Sequence, residues 1–307
     1  MSATRPTPLT IFQVDAFTDV PYRGNPAAVV LEPGDLTEQQ MQLLAREMNL
    51  SETAYLLPPS SSAGDLRLRW FTPAAEVDLC GHATVATFHA GLEEGRLTPG
   101  SYRLECRSGI LDIGLARGAD GRALVTMALP VPILEGCFLD RGHVAGALGI
   151  PAQDLSDTLP MERTGEWVVV PVSGLEVLRR MEPDFKALGS ILRQGGLGSA
   201  VVLTRETIEP SSGVHLRMFA PGFGIDEDPV TGSAQGPVAV YLAKHGLLAA
   251  HQAGKEARYI AEQGDIIGRP GRIGVRVAFA DGRPAAITIE GRAVTILKGS
   301  IMAPGRA

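Results

Sequence analysis

The 307-residue chain has no block of basic residues: 28 Lys and Arg stand against 34 Asp and Glu, for a formal net charge of −6. Nucleic acid is therefore not an expected partner, because phosphate binding needs clustered positive charge. Cysteine is scarce. Cys80, Cys106 and Cys137 are an odd number in no zinc spacing, which argues against a disulfide framework and for a reducing compartment. No apolar run reaches the ~18 residues that a membrane span needs, and the opening MSATRPTPLTIFQVDAF has no basic stretch followed by an apolar one, so no secretory signal is read. The expectation is a cytoplasmic protein without a membrane partner. Also missing are a Gly-x-Ser-x-Gly elbow around Ser233, the Lys and upstream Gly of a phosphate loop, a Gly-x-Gly-x-x-Gly after an early strand, and metal-ligand spacing among the histidines. Nucleophile-elbow hydrolysis and a required nucleotide, metal or other cofactor are thus not expected.

What is present suits a soluble globular protein of two domains: 45% apolar residues, 20% charged, and no Gly/Ser-rich linker or low-complexity segment. The chain is organised around the stretch from Asp226 to Leu242, where acids and a proline lead through Thr231-Gly232-Ser233-Ala234 into small apolar residues of helical character. An earlier stretch, Asp78-Leu79-Cys80-Gly81-His82-Ala83-Thr84, has the same shape; setting Gly81 on Gly232 places His82 opposite Ser233 and Ala83 opposite Ala234. Gly-Xaa-Ala opens a close-packed helix in many folds. Two copies about a domain length apart point further, to two half-molecules that each present a Gly-started helix end, where unpaired amides suit an anion.

Along the chain, Leu9–Phe17 and Ala27–Leu31 read as strands flanking turn residues Tyr22 to Pro26, and Thr37 caps an amphipathic helix to Met48. Glu52 sits at the mouth of an apolar strand, Leu66–Phe71 alternates, and a helix is expected from Gly81 to about Gly91. Strands follow at 101–105, 110–115 and 123–129, so the first half reads as α+β. Pro130-Val131-Pro132 marks a boundary. Beyond it, helical segments at 143–148 and 185–193 and strands at 167–172 and 200–203 lead to Val214–Phe219, which alternates as Leu66–Phe71 does. Strands at 258–263, 272–279, 285–290 and 293–297 complete the chain. Domains are expected at 1–129 and 130–290, with 291–307 returning as a strand to the first.

Moving a proton at an acidified carbon needs a base, donors for a carboxylate or enolate, and shelter from water. Glu52 is either a solvated edge residue or a partly buried base. His82 and Asp228 are either helix-start and turn residues or groups that bind substrate and relay a proton. Asn25 is either a turn former or a ligand-facing amide, and Cys80 either a small buried residue or a thiol that touches substrate. The amides at Gly81 and Gly232, with the Ser233 hydroxyl, are the candidate donors.

Taken together, Phe12–Phe17, Gly24-Asn25-Pro26-Ala27-Ala28-Val29, Asn49–Ala54, Leu79–Thr84 and Asp228–Ala234, with Gln263-Gly264, Gly268-Arg269-Pro270 and Gly291–Val294, resemble the PhzF family of phenazine biosynthesis in motif order over nearly the whole chain. The resemblance implies a diaminopimelate-epimerase-like α+β fold: two similar domains, each a curved, mostly antiparallel sheet around a central helix, with the active site in the cleft between them. It also implies a cofactor-independent isomerase, usually a homodimer, acting on a small carboxylate such as trans-2,3-dihydro-3-hydroxyanthranilate. By motif, Glu52 is its base, His82 and Asp228 polar partners, and Gly81, Gly232 and Ser233 the carboxylate and relay positions. In the related epimerases a cysteine precedes each glycine. Here Cys80 is present but the second position is Thr231, which favours Glu52 over a two-thiol mechanism. The rival expectations are an amino- or hydroxy-acid epimerase and a non-catalytic binding protein.

Overall fold

The computed structural model describes residues 8–248 and 255–305, and the chain divides into two compact units. One runs through Ala128 and takes in the chain again from Glu290; the other is the continuous stretch Leu129–Ile289.

In the first unit, β1 (Pro8–Ala16) turns back antiparallel into β2 (Asn25–Val30), and α1 (Glu38–Met48) crosses to β3 (Glu52–Leu57), parallel to β2. The hairpin of β4 (Leu66–Phe71) and β5 (Glu76–Val77) leads into α2 (Gly81–Glu93), and β6 (Gly100–Cys106), β7 (Gly109–Arg117) and β8 (Ala123–Leu129) follow. Strand β6 lies parallel to β4, and β7 and β8 add antiparallel. Thr37 caps helix α1 as expected, and the structure adds the reciprocal contact of a capping box: Gln40 N donates to the Thr37 hydroxyl at 3.3 Å, and Thr37 N donates to Gln40 Oε1 at 2.9 Å. Its Met41, Leu44 and Ala45 pack with Ile11, Val30, Tyr55 and Phe71. Helix α2 is different in kind. Every residue from Gly81 to Leu92 is buried, packed against β1, β2 and β3, as an all-round apolar helix requires. Its two threonines return their hydroxyls to the helix carbonyls of Cys80 and Ala83, both at 2.7 Å, so that no bare hydroxyl enters the core.

The turn before β2 ends two residues earlier than the sequence suggests. Gly24 has φ +64°, and a Cβ there would lie 2.1 Å from the Ala16 carbonyl oxygen. Glycine alone makes that closure, and Asn25 becomes the first strand residue, opposite Ala16.

The second unit contains β9 (Glu135–Gly136), α3 (Arg141–Ala147), β10 (Glu162–Thr164), β11 (Trp167–Pro171), α4 (Leu175–Arg180), α5 (Phe185–Gln194), β12 (Ser199–Thr204), β13 (Val214–Ala220), β14 (Ile225–Asp228), α6 (Gln235–Lys244), β15 (Glu256–Gln263) and β16 (Gly271–Ala280). Then β17 (Arg283–Gly291) leads to β18 (Ala293–Met302), which pairs antiparallel with β1 from Ala16↔Ala293 to Pro8↔Met302. Helices α3, α4 and α5 share a core of Val144, Leu148, Leu178, Leu188 and Leu192 with Val168, Val170, Val202 and Phe219 of the strands. Helix α6 is the buried one, with Gln235 to Ala239, Tyr241 and Leu242 all inside.

The units repeat one plan. Parallel β2–β3 with a helical crossover corresponds to parallel β11–β12, hairpin β4–β5 to β13–β14, buried α2 to α6, and parallel β4–β6 to β13–β15. The side chains repeat with it. Arg69 of β4 grips Glu76 of β5 through two hydrogen bonds of 2.7 Å and lies 5.1 Å over the Phe71 ring. Arg217 of β13 grips Glu227 of β14 at 2.7 and 2.9 Å and lies 5.0 Å over Phe219. A second pair latches the loop before each hairpin. Glu105 of β6 accepts from Ser60 N at 2.7 Å and Ser61 N at 3.0 Å, while Glu262 of β15 accepts from Ile208 N and Glu209 N at 2.8 Å each. The Ser61 hydroxyl, with the other Ser60–Ser61 donors, holds the Glu105 carboxyl at about 2. Burial opposes the Glu262 charge, yet these amides and His215 hold its pKa below the usual range.

Arg217 is almost wholly buried and also donates to the Leu178 and Met181 carbonyls. Truncating it leaves Glu227 and both carbonyls unpaired, so Arg217→Leu is expected to lower stability by about 3–5 kcal/mol. Arg217→Lys recovers only part, since an ammonium cannot make the two-pronged contact. Urea denaturation followed by circular dichroism measures both.

Candidate active site

The starts of three elements meet in the first unit. Asn25 and Glu52 open the parallel strands β2 and β3, with Glu52 in register with Ala27, and His82 is the second residue of α2. Asn25, Glu52, Cys80 and His82 are all buried. His82 Nε2 lies 3.0 Å from Glu52 Oε2. Its Nδ1 lies 3.2 Å from Asn25 Nδ2 and 3.5 Å from Cys80 Sγ. Of the readings open for Glu52 and His82, the geometry selects a buried carboxylate facing an imidazole.

Electrostatics give that pair its character. Burial lowers the His82 pKa, and the positive end of α2 works the same way. The negative charge of Cys80 where it is ionised, and that of Glu52, oppose this and raise the His82 pKa above 6.5. Burial, then the Glu52 charge, pushes the Cys80 thiol up to about 11. Near neutral pH the sulfur is a thiol and not a thiolate base, so the group that balances the imidazolium is the Glu52 carboxylate.

The second unit arranges its motif otherwise. Asp228 ends β14 and accepts a short hydrogen bond from the Thr231 hydroxyl. Gln263, at the end of β15, accepts from Thr231 N at 2.9 Å and donates to the Asp228 carbonyl at 2.7 Å and to the Thr231 hydroxyl oxygen at 3.0 Å. The next residue, Gly264, has φ +84°, and a Cβ there would lie 2.2 Å from the Arg269 carbonyl oxygen and 2.6 Å from that of Pro229. Only glycine lets this loop close on the Asp228–Thr231 segment.

This clamp corrects one expectation. The second helix does not start at Gly232: Gly232 to Ala234 form a turn, with Gln235 N on the Gly232 carbonyl at 3.1 Å, and α6 begins at Gln235. Gln263 pins Thr231 through its N–H and its hydroxyl, and the helix forms only after the chain has turned. Gly232 is buried and Ser233 half-buried in that turn. Asn25, Glu52, Cys80, Gly81 and His82 thus belong to one unit, and Asp228, Gly232 and Ser233 to the other. Thr231 and Gln263 were not among the candidates. Their signal was a buried-type amide ending a strand just before an obligatory glycine.

Strand register also shows what the second unit lacks. Thr53 faces Phe71 as Ala200 faces Phe219, so the position matching Glu52 is Ser199, and counting from the glycines matches Cys80 with Thr231. Among the described residues a carboxylate–imidazole pair stands beside the start of the buried helix in the first unit alone; the second unit's buried His215–Glu262 pair, 2.8 Å apart, joins β13 to β15 instead.

Paired α+β units, each enclosing a buried helix, with a carboxylate set against an imidazole at one helix start, define an epimerase-like isomerase. The family model described as phenazine biosynthesis-like protein matches residues 14–299, and the chain belongs to that family. It is 37% identical over 289 residues to the uncharacterized isomerase YfhB of Bacillus subtilis, covering 92% of this chain and 95% of that protein. The crystal structure of a PhzF-family phenazine biosynthesis protein of Bacillus anthracis has a TM-score of 0.87 and 34% identity, over 96% of this chain and 99% of that one. A hydroxyproline epimerase from Agrobacterium vitis, solved with trans-4-hydroxy-L-proline, shares the fold at a TM-score of 0.62 and 16% identity, over 97% of this chain and 94% of that one. The chain is an isomerase of this family. No helix among the described residues is long and apolar enough to cross a membrane.

Because the folded-state pKa of His82 lies above its ordinary 6.5, the stability its charge contributes is complete below that value and is lost as pH rises through the folded pKa. The His82 ring resonances are expected to titrate above pH 6.5 by NMR, and Glu52→Gln to move that midpoint down. For the second clamp, Gln263→Leu strips partners from Thr231 N and the Asp228 carbonyl, and a loss of about 1–3 kcal/mol per stranded group is expected in thermal or urea unfolding.

Proposed function

We propose that the protein catalyses a proton-transfer isomerisation of a small carboxylate, with Glu52 as the base. The observation that supports this most is the buried Glu52–His82 pair at 3.0 Å, formed in one unit and replaced by Ser199 in the other. Opposite His82 the carboxylate sits out of bulk water, where a base can meet a carbon acid. Glu52 takes a proton from a carbon conjugated to the substrate carboxylate. The electron pair moves into the conjugated system, and the Glu52 proton is delivered to a second carbon, so one C–H bond breaks, another forms and a double bond shifts. His82 supplies the fixed positive charge that offsets the developing anion once Glu52 is neutral.

The Gly81 and Gly232 amides and the Ser233 hydroxyl are assigned to carboxylate recognition, and Asn25 and Asp228 to polar groups of substrate, on the family pattern at these positions. Cys80 is assigned contact and not chemistry, since its thiol is protonated near neutral pH. A second reading, epimerisation of an amino or hydroxy acid, draws on the fold shared with the hydroxyproline epimerase. It is less well supported, because inversion at one carbon calls for a proton donor and acceptor on opposite faces, and the positions matching Glu52 and Cys80 are Ser199 and Thr231, the latter's hydroxyl already bonded to Asp228.

The test is proton NMR in D2O with trans-2,3-dihydro-3-hydroxyanthranilate. The expected result is consumption of substrate with deuterium at a ring carbon, reduced about 10²–10⁴-fold in Glu52→Gln and little changed in Cys80→Ala. Asp228→Asn is expected to raise KM more than it lowers kcat. Conversion unimpaired in Glu52→Gln overturns the assignment of the base. Exchange of an amino or hydroxy acid at a single stereocentre, without movement of a double bond, selects the second reading.

A further inference from the structure

We infer that Glu52, Cys80 and His82 form a site for one thiophilic divalent cation of the zinc type, and that the ion competes with catalysis. The inference rests on the role given above to Glu52 only for its inhibitory half; binding stands on the geometry alone. Among the described residues these three make the single His/Cys/acid group whose donor atoms all lie within 4.8 Å of one another. His82 Nε2 is 3.0 Å from Glu52 Oε2 and 3.9 Å from Cys80 Sγ. In a tetrahedral zinc site, with Zn–N and Zn–O near 2.0–2.1 Å and Zn–S near 2.3 Å, ligand atoms stand roughly 3–4 Å apart, so an ion fits with small side-chain movements.

Three further features suit a bound ion. Carboxylate, imidazole and thiolate are a mixed donor set that zinc and cobalt accept and that magnesium and calcium, which prefer oxygen, do not. Binding displaces the Cys80 thiol proton and one ring proton of His82 to solvent, and an ion of charge +2 held by the resulting thiolate, the neutral imidazole and one carboxylate is neutral as a unit, which a buried site tolerates far better than a net charge. Three protein ligands leave a fourth position open, as in catalytic rather than structural zinc sites. The ligands come from a strand start and from two residues at the start of a buried helix, elements that hold them in place without the ion, so little ordering is required on binding. The chemical consequence is direct. A carboxylate bonded to a metal has lost the lone pair with which it would take a proton from carbon, so the ion inhibits by occupying the base. The site is a point of control by metal and not a requirement of the reaction.

The test uses the untagged full-length protein, stripped of metal with a chelator. Cobalt(II) is expected to develop the visible absorption of a tetrahedral ion and an ultraviolet thiolate-to-metal charge-transfer band, saturating at one ion per chain. Zinc(II) is expected to displace it, to raise the melting temperature, and to bind at least tenfold more weakly in each of Cys80→Ser, His82→Gln and Glu52→Gln. Melting curves without metal show whether each variant is folded. Cys106→Ala and Cys137→Ala are expected to bind as the parent does. Absence of the charge-transfer band, or zinc affinity undiminished in all three site variants, overturns the proposal. Where the deuterium-exchange reaction is found, zinc(II) is expected to suppress it at the same one-ion stoichiometry and a chelator to restore it; full activity with the site loaded overturns the inhibitory half. A protein that binds cobalt as described yet leaves the test substrate unchanged upholds the metal site and counts only against the proposed reaction.

Discussion

The two-pronged grip of an arginine on a glutamate across a strand hairpin is the contact on which both units depend. Arg69–Glu76 and Arg217–Glu227 each tie a short return strand to the strand before it, and each return strand runs straight into the segment before a buried helix. A helix enclosed by strands has no freedom to slide, because its whole surface is spoken for. Its first residue is therefore set by the hairpin that precedes it, and the chemistry at that first residue inherits the precision of the grip. In the second unit a further clamp, Gln263 on Thr231 and Asp228, intervenes and moves the helix start three residues along.

Much of this is legible in the amino-acid sequence. The matched alternation of Leu66–Phe71 and Val214–Phe219 marks equivalent strands, and the shared Gly-Xaa-Ala steps mark equivalent approaches to a helix. Thr37 announces a helix start by local hydrogen bonding alone. Asn25, Glu52 and His82 stand in the motifs that carry the family resemblance, and these three do converge. What sequence could not convey depends on contacts between distant residues. That the Cys80 thiol stays protonated follows from burial plus the charge of Glu52, 28 positions away. The delayed start of α6 follows from an amide that lies 32 positions beyond Thr231. Local propensity favours a helix from Gly232 and is overruled by that partner.

The departures from the internal repeat are as informative as the repeat itself. Both units keep the arginine grip, the ring beneath it, and the glutamate that receives loop amides. They differ where chemistry is expected: Glu52 against Ser199, Cys80 against Thr231, His82 against Ser233. At the approach to its buried helix one unit sets an imidazole and a thiol beside a carboxylate, while the other surrounds Asp228 with the Thr231 hydroxyl and the Gln263 amide. The scaffold is alike in both units because packing penalises change on both sides equally, whereas a helix start that faces ligand is free to specialise.

The pairing of β18 with β1 joins segments almost three hundred residues apart, and this has a consequence for biosynthesis. The second unit is one continuous stretch that can condense as soon as it leaves the ribosome. The first unit, which holds the carboxylate and the imidazole, is made first but cannot complete the sheet flank beside β1 until the final strand emerges. Its ion pair is thus assembled in a sheet that closes last, and β1 spends most of translation as an open edge awaiting its partner.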